Sequence, residues 1–244
     1  MKIAQLVETA GYNHEIPVEL YINNEYRGSY NLTEKIGFAN NSIDLQDETY
    51  ATMLELDSYY DETYKFRTSK YSIPVNIKEP DLSEGTSPLS SLRISQSFNK
   101  VTTALYNKED MSNYIDLDYL ARFLFVNELV ANTELMHPKS TYCYNENIMD
   151  TNSKYIFGPV WDFDWAYGYQ YTGNYFTYPA NTDFWTRTSM EATQWVKDMR
   201  YCGDNFDKIY YNLWHNFVND GRLEELLEFC QDYYDYASES FTHD

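Results

Sequence analysis

The sequence predicts an α+β fold in which a strand-rich N-terminal part, residues 1–82, precedes a helix-rich part, residues 83–244. Two patterns support this division. Apolar side chains alternate with other residues in short segments before residue 80, which is the period of β-strands. From residue 89 onward they recur mainly at helical spacing. With 244 residues, the chain can form one large domain or two small lobes that share a core.

The N-terminal part is predicted to contain a hairpin and three further strands. The hairpin spans residues 16–36 and turns at Asn23-Asn24-Glu25. The further strands are Thr52–Leu56, Tyr64–Thr68 and Ile73–Ile77. We predict that the last of these is an edge strand, because Pro74 has no backbone N–H to donate to a neighbouring strand.

The helix-rich part is predicted to contain a buried central helix and a short β-ribbon. The helix spans residues 116–131 and is apolar on most sides. The ribbon pairs Thr141–Tyr144 with Tyr155–Val160 through a polar loop. Further helices are predicted at residues 89–106, 189–199, 204–219 and 221–240.

The chain is strongly acidic, with 18 Lys and Arg against 38 Asp and Glu and a formal charge of −20. This balance argues against nucleic acid or an anionic membrane surface as the main partner, because both are bound by basic patches. No apolar run approaches the length of a membrane span, and no signal peptide opens the chain. Cys143, Cys202 and Cys230 lack metal-ligand spacing, so three free thiols are favoured over one disulfide bridge.

The segment at residues 158–168, GPVWDFDWAYG, is the most informative part of the sequence. Side chains two residues apart in an extended segment point to the same side, so Asp162 and Asp164 are expected to face one site between aromatic rings. Two carboxylates in such a place repel each other unless a cation or a shared proton relieves them, and Mg²⁺ prefers oxygen ligands. The alternative for an arbitrary Asp-x-Asp pair is that one residue caps a helix and the other is solvated.

Two further segments accompany this motif along the chain. Residues 18–36 read VELYINNEYRGSYNLTEKI, and residues 132–142, after the predicted buried helix, read NTELMHPKSTY. Together with the Gly-Pro-x-Trp-Asp-x-Asp-x-x-x-Gly signature, these segments resemble the CotH kinase family, the atypical protein kinases similar to spore coat protein H. The resemblance runs from about Val18 into the C-terminal helices, which is most of the chain.

The resemblance implies a kinase-like α+β fold in a single domain and transfer of phosphate from ATP to Ser or Thr of a surface or exported protein. It implies Mg²⁺ or Mn²⁺ as cofactor and an extracytoplasmic or cell-surface location. A protein substrate is the expected partner; nucleic acid and a membrane span are not expected. The resemblance assigns metal binding to Asp162 and Asp164. It places a catalytic Asp where the buried helix ends, and this chain has Glu134 there.

Three residues on the loop after Glu134 are candidates for supporting roles: His137, Lys139 and Ser140. His137 can orient an acceptor and Lys139 can neutralise phosphate charge, although loop His and Lys residues are more often simply solvated. Ser140 stands where relatives have Asn or Ser. It is either a metal contact or, as we favour, a structural residue.

The predicted nucleotide contacts are Glu34, Lys35, Lys65 and Arg67. Glu34 and Lys35 are adjacent on a strand and face opposite sides, so one faces the cleft, and we favour Glu34. Lys65 and Arg67 alternate along their strand and are the nearest basic residues for phosphate, with a solvated strand face as the alternative. Glu55 and Asp57, at the end of the preceding strand, share a face and are also expected near the cleft.

Departures from the family pattern leave other hypotheses open. Family members carry strands ahead of the hairpin, from which we expect that this chain has an incomplete nucleotide lobe. The second hypothesis is a catalytically inactive relative that binds a surface protein or a polysaccharide through its 26 tyrosines. A third, weaker hypothesis uses the carboxylates as a glycoside-hydrolase pair. Asp162 and Asp164 lie too close in sequence to flank a sugar, although Glu134 with an Asp could in principle do so.

Overall fold

A computed structural model describes residues 1–136, 138–169, 174–176, 184–185 and 193–239. In chain order its strands are β1 (Glu15–Ile22), β2 (Glu25–Thr33), β3 (Thr52–Leu56), β4 (Lys65–Arg67), β5 (Pro74–Glu79), β6 (Thr141–Asn145) and β7 (Ile156–Phe157). Its helices are α1 (Lys2–Leu6), α2 (Ser91–Tyr106), α3 (Leu117–Leu129), α4 (Gln194–Arg200), α5 (Asp204–Asn219) and α6 (Arg222–Ala237). This order confirms the predicted α+β class.

The main sheet is antiparallel and has the strand order β4-β5-β3-β6-β7. Its central strand, β3, and the neighbouring β6 are buried along their whole length. Because β6 and β7 follow residue 140, the sheet joins strands from both predicted parts of the chain. The β3–β6 ladder ends at the pair Leu56 and Thr141, so the residue after β3 and the residue before β6 meet at one end of the sheet.

The prediction that the fifth strand is an edge strand is wrong, because β5 lies between β4 and β3. Pro74 is the first residue of β5 and pairs with Arg67 at the end of the β4–β5 ladder. At this position the missing N–H breaks no interior ladder bond, and the Pro74 carbonyl still accepts a hydrogen bond from Asp57 N at 3.3 Å. Strand β7 is also shorter than the predicted Tyr155–Val160.

The two faces of the sheet pack against different parts of the chain. Leu54 and Leu56 lie in the large apolar cluster that the helices supply, whereas Met53 lies in a smaller cluster on the other face. The alternation along β3 follows from the two-residue period of a strand. Helix α3 reaches the sheet through Phe123, whose ring centroid lies 5.8 Å from that of Phe157 in β7.

The hairpin is confirmed as a separate two-stranded sheet, with β1 and β2 paired from Glu15–Thr33 to Ile22–Glu25. The short helix α1 was not predicted, and it packs against α6 and α3.

Within the described part of the chain, no helix is long and apolar enough to cross a membrane. The thiols of Cys143, Cys202 and Cys230 are free, as predicted.

Helix α3 is the element that carries the chain to the candidate site, and it is buried as predicted. It packs against α5, where the Phe125 ring lies 4.3 Å from Trp214 and 4.9 Å from Phe217. Its N-terminus is capped by Asp116, whose Oδ1 accepts hydrogen bonds from Asp118 N and Tyr119 N, both at 3.1 Å. This side chain satisfies two backbone donors that the helix itself leaves unpaired.

Replacing the cap by Asp116→Ala is expected to lower the free energy of unfolding by about 1 kcal/mol, because both donors lose their acceptor. Urea unfolding followed by circular dichroism measures the change. Asp118→Ala is the matched control, since it removes an exposed carboxylate from the same turn. Equal losses in the two variants would contradict the capping role.

Candidate active site

Glu134 is held at the end of α3 by two asparagines. Asn127 Nδ2 donates to the carbonyl of Phe123 at 2.8 Å, which leaves its Oδ1 to accept from Asn132 Nδ2 at 3.0 Å. Asn132 Oδ1 in turn accepts from Glu134 N at 3.2 Å. The chain then forms a 3-10 turn over Thr133–Met136, in which Glu134 is only 1% exposed.

The loop that carries Asp162 and Asp164 is joined to this turn by backbone hydrogen bonds. The Trp165 carbonyl accepts from Thr133 N at 3.3 Å and from Thr133 Oγ1 at 3.1 Å, and Tyr167 N donates to the Val130 carbonyl at 2.5 Å. The loop enters through Gly158, where φ is +134° and a Cβ atom would lie 2.7 Å from the Ala10 carbonyl oxygen. Glycine is therefore required at the first position of the motif.

The three predicted acidic residues meet in one cluster. Glu134, Asp162 and Asp164 each offer a carboxylate oxygen, and these oxygens lie within 4.8 Å of one another. The expected geometry of the Asp-x-Asp pair is wrong, because Asp162 has φ of 60° and the segment is not an extended strand. The two carboxylates converge because the loop bends at Asp162 and is tied to the 3-10 turn, and not through strand alternation.

Lys139 balances part of this negative charge. Its ammonium Nζ lies 2.5 Å from Glu134 Oε1 and 4.0 Å from Asp162 Oδ2. It also lies 5.4 Å from the ring centroid of Tyr59 and 5.4 Å from that of Trp165, which shield it from water. The Lys139 side chain is only 13% exposed, so this lysine is buried beside the carboxylates and is not a solvated loop residue.

Ser140 lies beside the same carboxylates. Its Oγ donates to Asp162 Oδ2 at 3.0 Å, and its backbone N donates to Asp57 Oδ2 at 3.3 Å. The contact with Asp57 exists because Asp57 follows Leu56 and Ser140 precedes Thr141, the last pair of the β3–β6 ladder. His137, the remaining predicted supporting residue, lies outside the described residues.

The protonation equilibria of the cluster are perturbed by burial and by mutual repulsion. Burial raises the pKa of Glu134; the hydrogen bond from Lys139 opposes this increase, and the charges of Asp162 and Asp164 add to it. Asp164 is an exposed residue, but partial desolvation of its carboxyl group beside Asp162, followed by the charge of the Asp162 carboxylate, raises the pKa of Asp164. For Lys139, the hydrogen bond to Glu134 and the nearby carboxylates outweigh burial and raise the pKa. A second cation or a shared proton would therefore be favourable here.

The four predicted nucleotide contacts have partners away from this cluster. Glu34 accepts hydrogen bonds from the backbone N and, at 3.0 Å, the ring Nδ1 of His14, and Lys35 is exposed near Glu79. Lys65 donates to the Tyr60 carbonyl at 3.0 Å, and Arg67 donates to the Ser72 carbonyl at 3.1 Å. Both basic groups lie 4.9 Å from the Tyr60 ring centroid, on the edge strand β4.

The sequence interpretation missed Tyr59, whose ring contacts Lys139. It also placed Asp57 near the cleft without assigning it to the site. No local pattern distinguishes Tyr59 from the other 25 tyrosines, because its proximity to Lys139 depends on the pairing of β3 with β6. The i, i+2 relation of Glu55 and Asp57 did indicate that both face the same side.

The comparisons with known proteins identify a family for this chain. Residues 6–235 match the family described as CotH kinase protein. The match covers nearly the whole chain, and the chain belongs to this family of kinase-like proteins. Neither the search of curated proteins nor the search of solved structures found a match.

Asp164→Asn is expected to raise the melting temperature at neutral pH and to change it little in acid. The folded protein raises the Asp164 pKa above its usual 3.8, so the stability contributed by this group is fully present below that value. That stability is lost as the pH rises through the folded-state pKa, and the neutral amide avoids the loss. Thermal melts between about pH 3 and pH 8 in the presence of a chelator measure the difference.

Asp81→Ala is the control, because its effect on stability is expected to depend on pH in the opposite direction. Hydrogen bonds from Ser83 lower the Asp81 pKa, so this carboxylate stabilises the fold above its unfolded pKa and stops doing so as the pH falls through the lower folded value. Its replacement should therefore cost more stability at neutral pH than in acid. A pH-independent effect of Asp164→Asn would show that the Asp164 carboxyl is not perturbed by its neighbours.

Proposed function

We propose that this chain is an ATP-dependent protein kinase that phosphorylates Ser or Thr of a surface or exported protein and uses Mg²⁺ or Mn²⁺. Family membership supports the kinase class. The observation that carries the proposal is the convergence of the Glu134, Asp162 and Asp164 carboxylates within 4.8 Å. Phosphoryl transfer needs charge neutralisation on the phosphates and a group that orients or deprotonates the acceptor hydroxyl, and this cluster contains candidates for both.

The residues present fit a divalent cation. Glu134 Oε2 is buried and has no hydrogen-bond partner among the described residues, although Oε1 is paired with Lys139. A buried carboxylate oxygen without a donor is costly, and a cation would relieve it. All three side chains offer oxygen, the donor type that Mg²⁺ and Mn²⁺ prefer. Asp162 and Asp164 would hold the metal, which would supply positive charge for the phosphates of ATP.

Glu134 is the proposed proton acceptor. In the reaction, the acceptor hydroxyl oxygen bonds to the γ-phosphorus, the bond from that phosphorus to the β–γ bridging oxygen breaks, and the hydroxyl proton moves to Glu134. ADP and the phosphorylated protein are the products. The raised Glu134 pKa favours this role, because a general base works best when its pKa is near the working pH. Burial of the same side chain favours a second role, as a third metal ligand.

Within the cluster, Lys139 is the residue that we propose to neutralise phosphate charge, because its ammonium group already contacts Glu134 and Asp162. Glu34, Lys35, Lys65 and Arg67 remain the proposed nucleotide contacts of the N-terminal part. To act on the phosphates, Lys65 and Arg67 must exchange their present carbonyl partners for phosphate oxygens. Such an exchange is favourable, because hydrogen bonds to a charged acceptor are stronger than those to a neutral carbonyl.

The alternative function is a catalytically inactive binding module. The β1–β2 hairpin favours it, because Ile16, Tyr30 and Leu32 are 59%, 52% and 62% exposed on one face of the ribbon. Apolar side chains grouped on an exposed face are typical of interaction sites. A folded chain that binds metal but transfers no phosphate would support this alternative.

Metal binding is tested first. Mn²⁺ is expected to raise the melting temperature of the parent, since a ligand at a hundredfold excess over its Kd stabilises the folded state by about 2.7 kcal/mol. Asp162→Ala should lose most of this stabilisation. Asp150→Ala, which removes an exposed carboxylate from the loop between β6 and β7, should keep it. Undiminished stabilisation in Asp162→Ala would remove this residue from the proposed metal site.

Phosphate transfer is tested with Glu134→Gln, which keeps the shape of the side chain and removes its basicity. Incorporation of ³²P from ATP into a generic protein acceptor is expected to fall by at least about a hundredfold. Glu128→Gln is the control, because Glu128 is also a hydrogen-bonded carboxylate of α3 but lies outside the cluster. Full activity in Glu134→Gln would exclude Glu134 as the base, and weakened Mn²⁺ binding would identify it as a ligand.

A further inference from the structure

Ser140 uses both of its hydrogen-bond donors on two different carboxylates. The backbone N–H donates to Asp57 Oδ2 at 3.3 Å, and the hydroxyl donates to Asp162 Oδ2 at 3.0 Å. The residue has φ of 47°, a left-handed conformation that non-glycine residues rarely adopt. The two bonds explain why a serine is held in this conformation.

Asp57 is the fixed end of this chain of hydrogen bonds. It follows the central strand β3 and is 6% exposed. Its Oδ2 accepts from Ser140, and its Oδ1 accepts from Tyr59 N at 2.7 Å. A carboxylate with a backbone N–H on each oxygen, at the end of a strand paired on both sides, has little freedom to move.

Asp162 is the end that needs positioning. It belongs to no strand, has φ of 60°, and its side chain is 32% exposed. Its Oδ2 accepts the Ser140 hydroxyl, which sets where the carboxylate points. Ligating carboxylates are usually oriented by such outer hydrogen bonds, whose loss weakens metal binding.

We infer that Asp57 is a positioning residue for the carboxylate cluster and acts on Asp162 through Ser140. The path runs from the ladder of β3 and β6, through the side chain of Asp57 and both donors of Ser140, to the carboxylate of Asp162. This inference rests on the cation site of the proposed function. It does not depend on phosphate transfer.

The test is Mn²⁺ affinity, measured by electron paramagnetic resonance without ATP or acceptor and well below each melting temperature. Ser140→Ala is expected to weaken Mn²⁺ binding by about tenfold. Ser140→Gly should weaken it equally, although glycine adopts the left-handed conformation freely and keeps the backbone N–H for Asp57. Ser83→Ala is the matched control, because Ser83 Oγ donates to Asp81 Oδ1 at 2.6 Å on an exposed surface.

Asp57→Asn tests whether Asp57 acts through Ser140. Asparagine has one acceptor oxygen where aspartate has two. Mn²⁺ affinity should therefore fall when Asp57→Asn is made in the parent protein, and should not fall further when it is made in the Ser140→Ala variant. A residue that only stabilised the fold would lower the melting temperature of Asp57→Asn and leave its Mn²⁺ affinity unchanged. That result, or equal losses in both backgrounds, would overturn the inference.

The outcomes also separate this inference from the proposed function. If the parent protein binds Mn²⁺ and the variants bind it equally well, the positioning role is wrong and the proposed cation site stands. A parent that binds no Mn²⁺ overturns the positioning role together with the proposed cation site. Weaker binding in Ser140→Ala and Ser140→Gly, together with a loss in Asp57→Asn that is confined to the parent background, supports the positioning role even in a protein that transfers no phosphate.

Discussion

The ion pair between Lys139 and Glu134 is the interaction on which the candidate site depends. Glu134 is 1% exposed and the Lys139 side chain is 13% exposed, so both charges have lost most of their water. Removing one partner of such a buried pair typically costs about 3–5 kcal/mol, because the other charge remains without compensation. In a chain with a formal charge of −20, three converging carboxylates require a nearby cation. The turn after α3 and the rings of Tyr59 and Trp165 all help to keep this lysine in place.

The sheet supports the site through two acidic residues, one on its central strand and one directly after it. Glu55 of β3 accepts a hydrogen bond from Tyr142 OH of β6 at 2.6 Å and lies 3.6 Å from Lys78 Nζ of β5. Asp57, two residues later, accepts from Ser140 N. Buried polar groups of this kind are tolerated because they have partners, and they make the register between β3 and β6 specific. A slip of one residue would place apolar side chains where these acids stand and would separate Asp57 from Ser140.

The three carboxylates differ in exposure, and solvent reaches them from the side of the most exposed one. Glu134 is buried, the Asp162 side chain is 32% exposed, and Asp164 is exposed. Desolvation therefore increases from Asp164 to Glu134, and the charge at the buried end is already paired with Lys139. Family membership indicates the kinase class, whereas this gradient of burial is a property of the site itself.

The sequence by itself determined the α+β class, the hairpin, the buried helix α3 and the residue types of the acidic cluster. These features are local: strand and helix periods, a turn, and short motifs can be read within about twenty residues. The tertiary structure alone decided that β5 is an interior strand and that Asp162 bends the loop, and it gave Asp57 its contact with Ser140 and Tyr59 its contact with Lys139. These two contacts depend on the pairing of β3 with β6, which joins residues more than eighty positions apart. No local pattern encodes such a pairing, because it is selected by the burial and hydrogen bonding of the whole sheet.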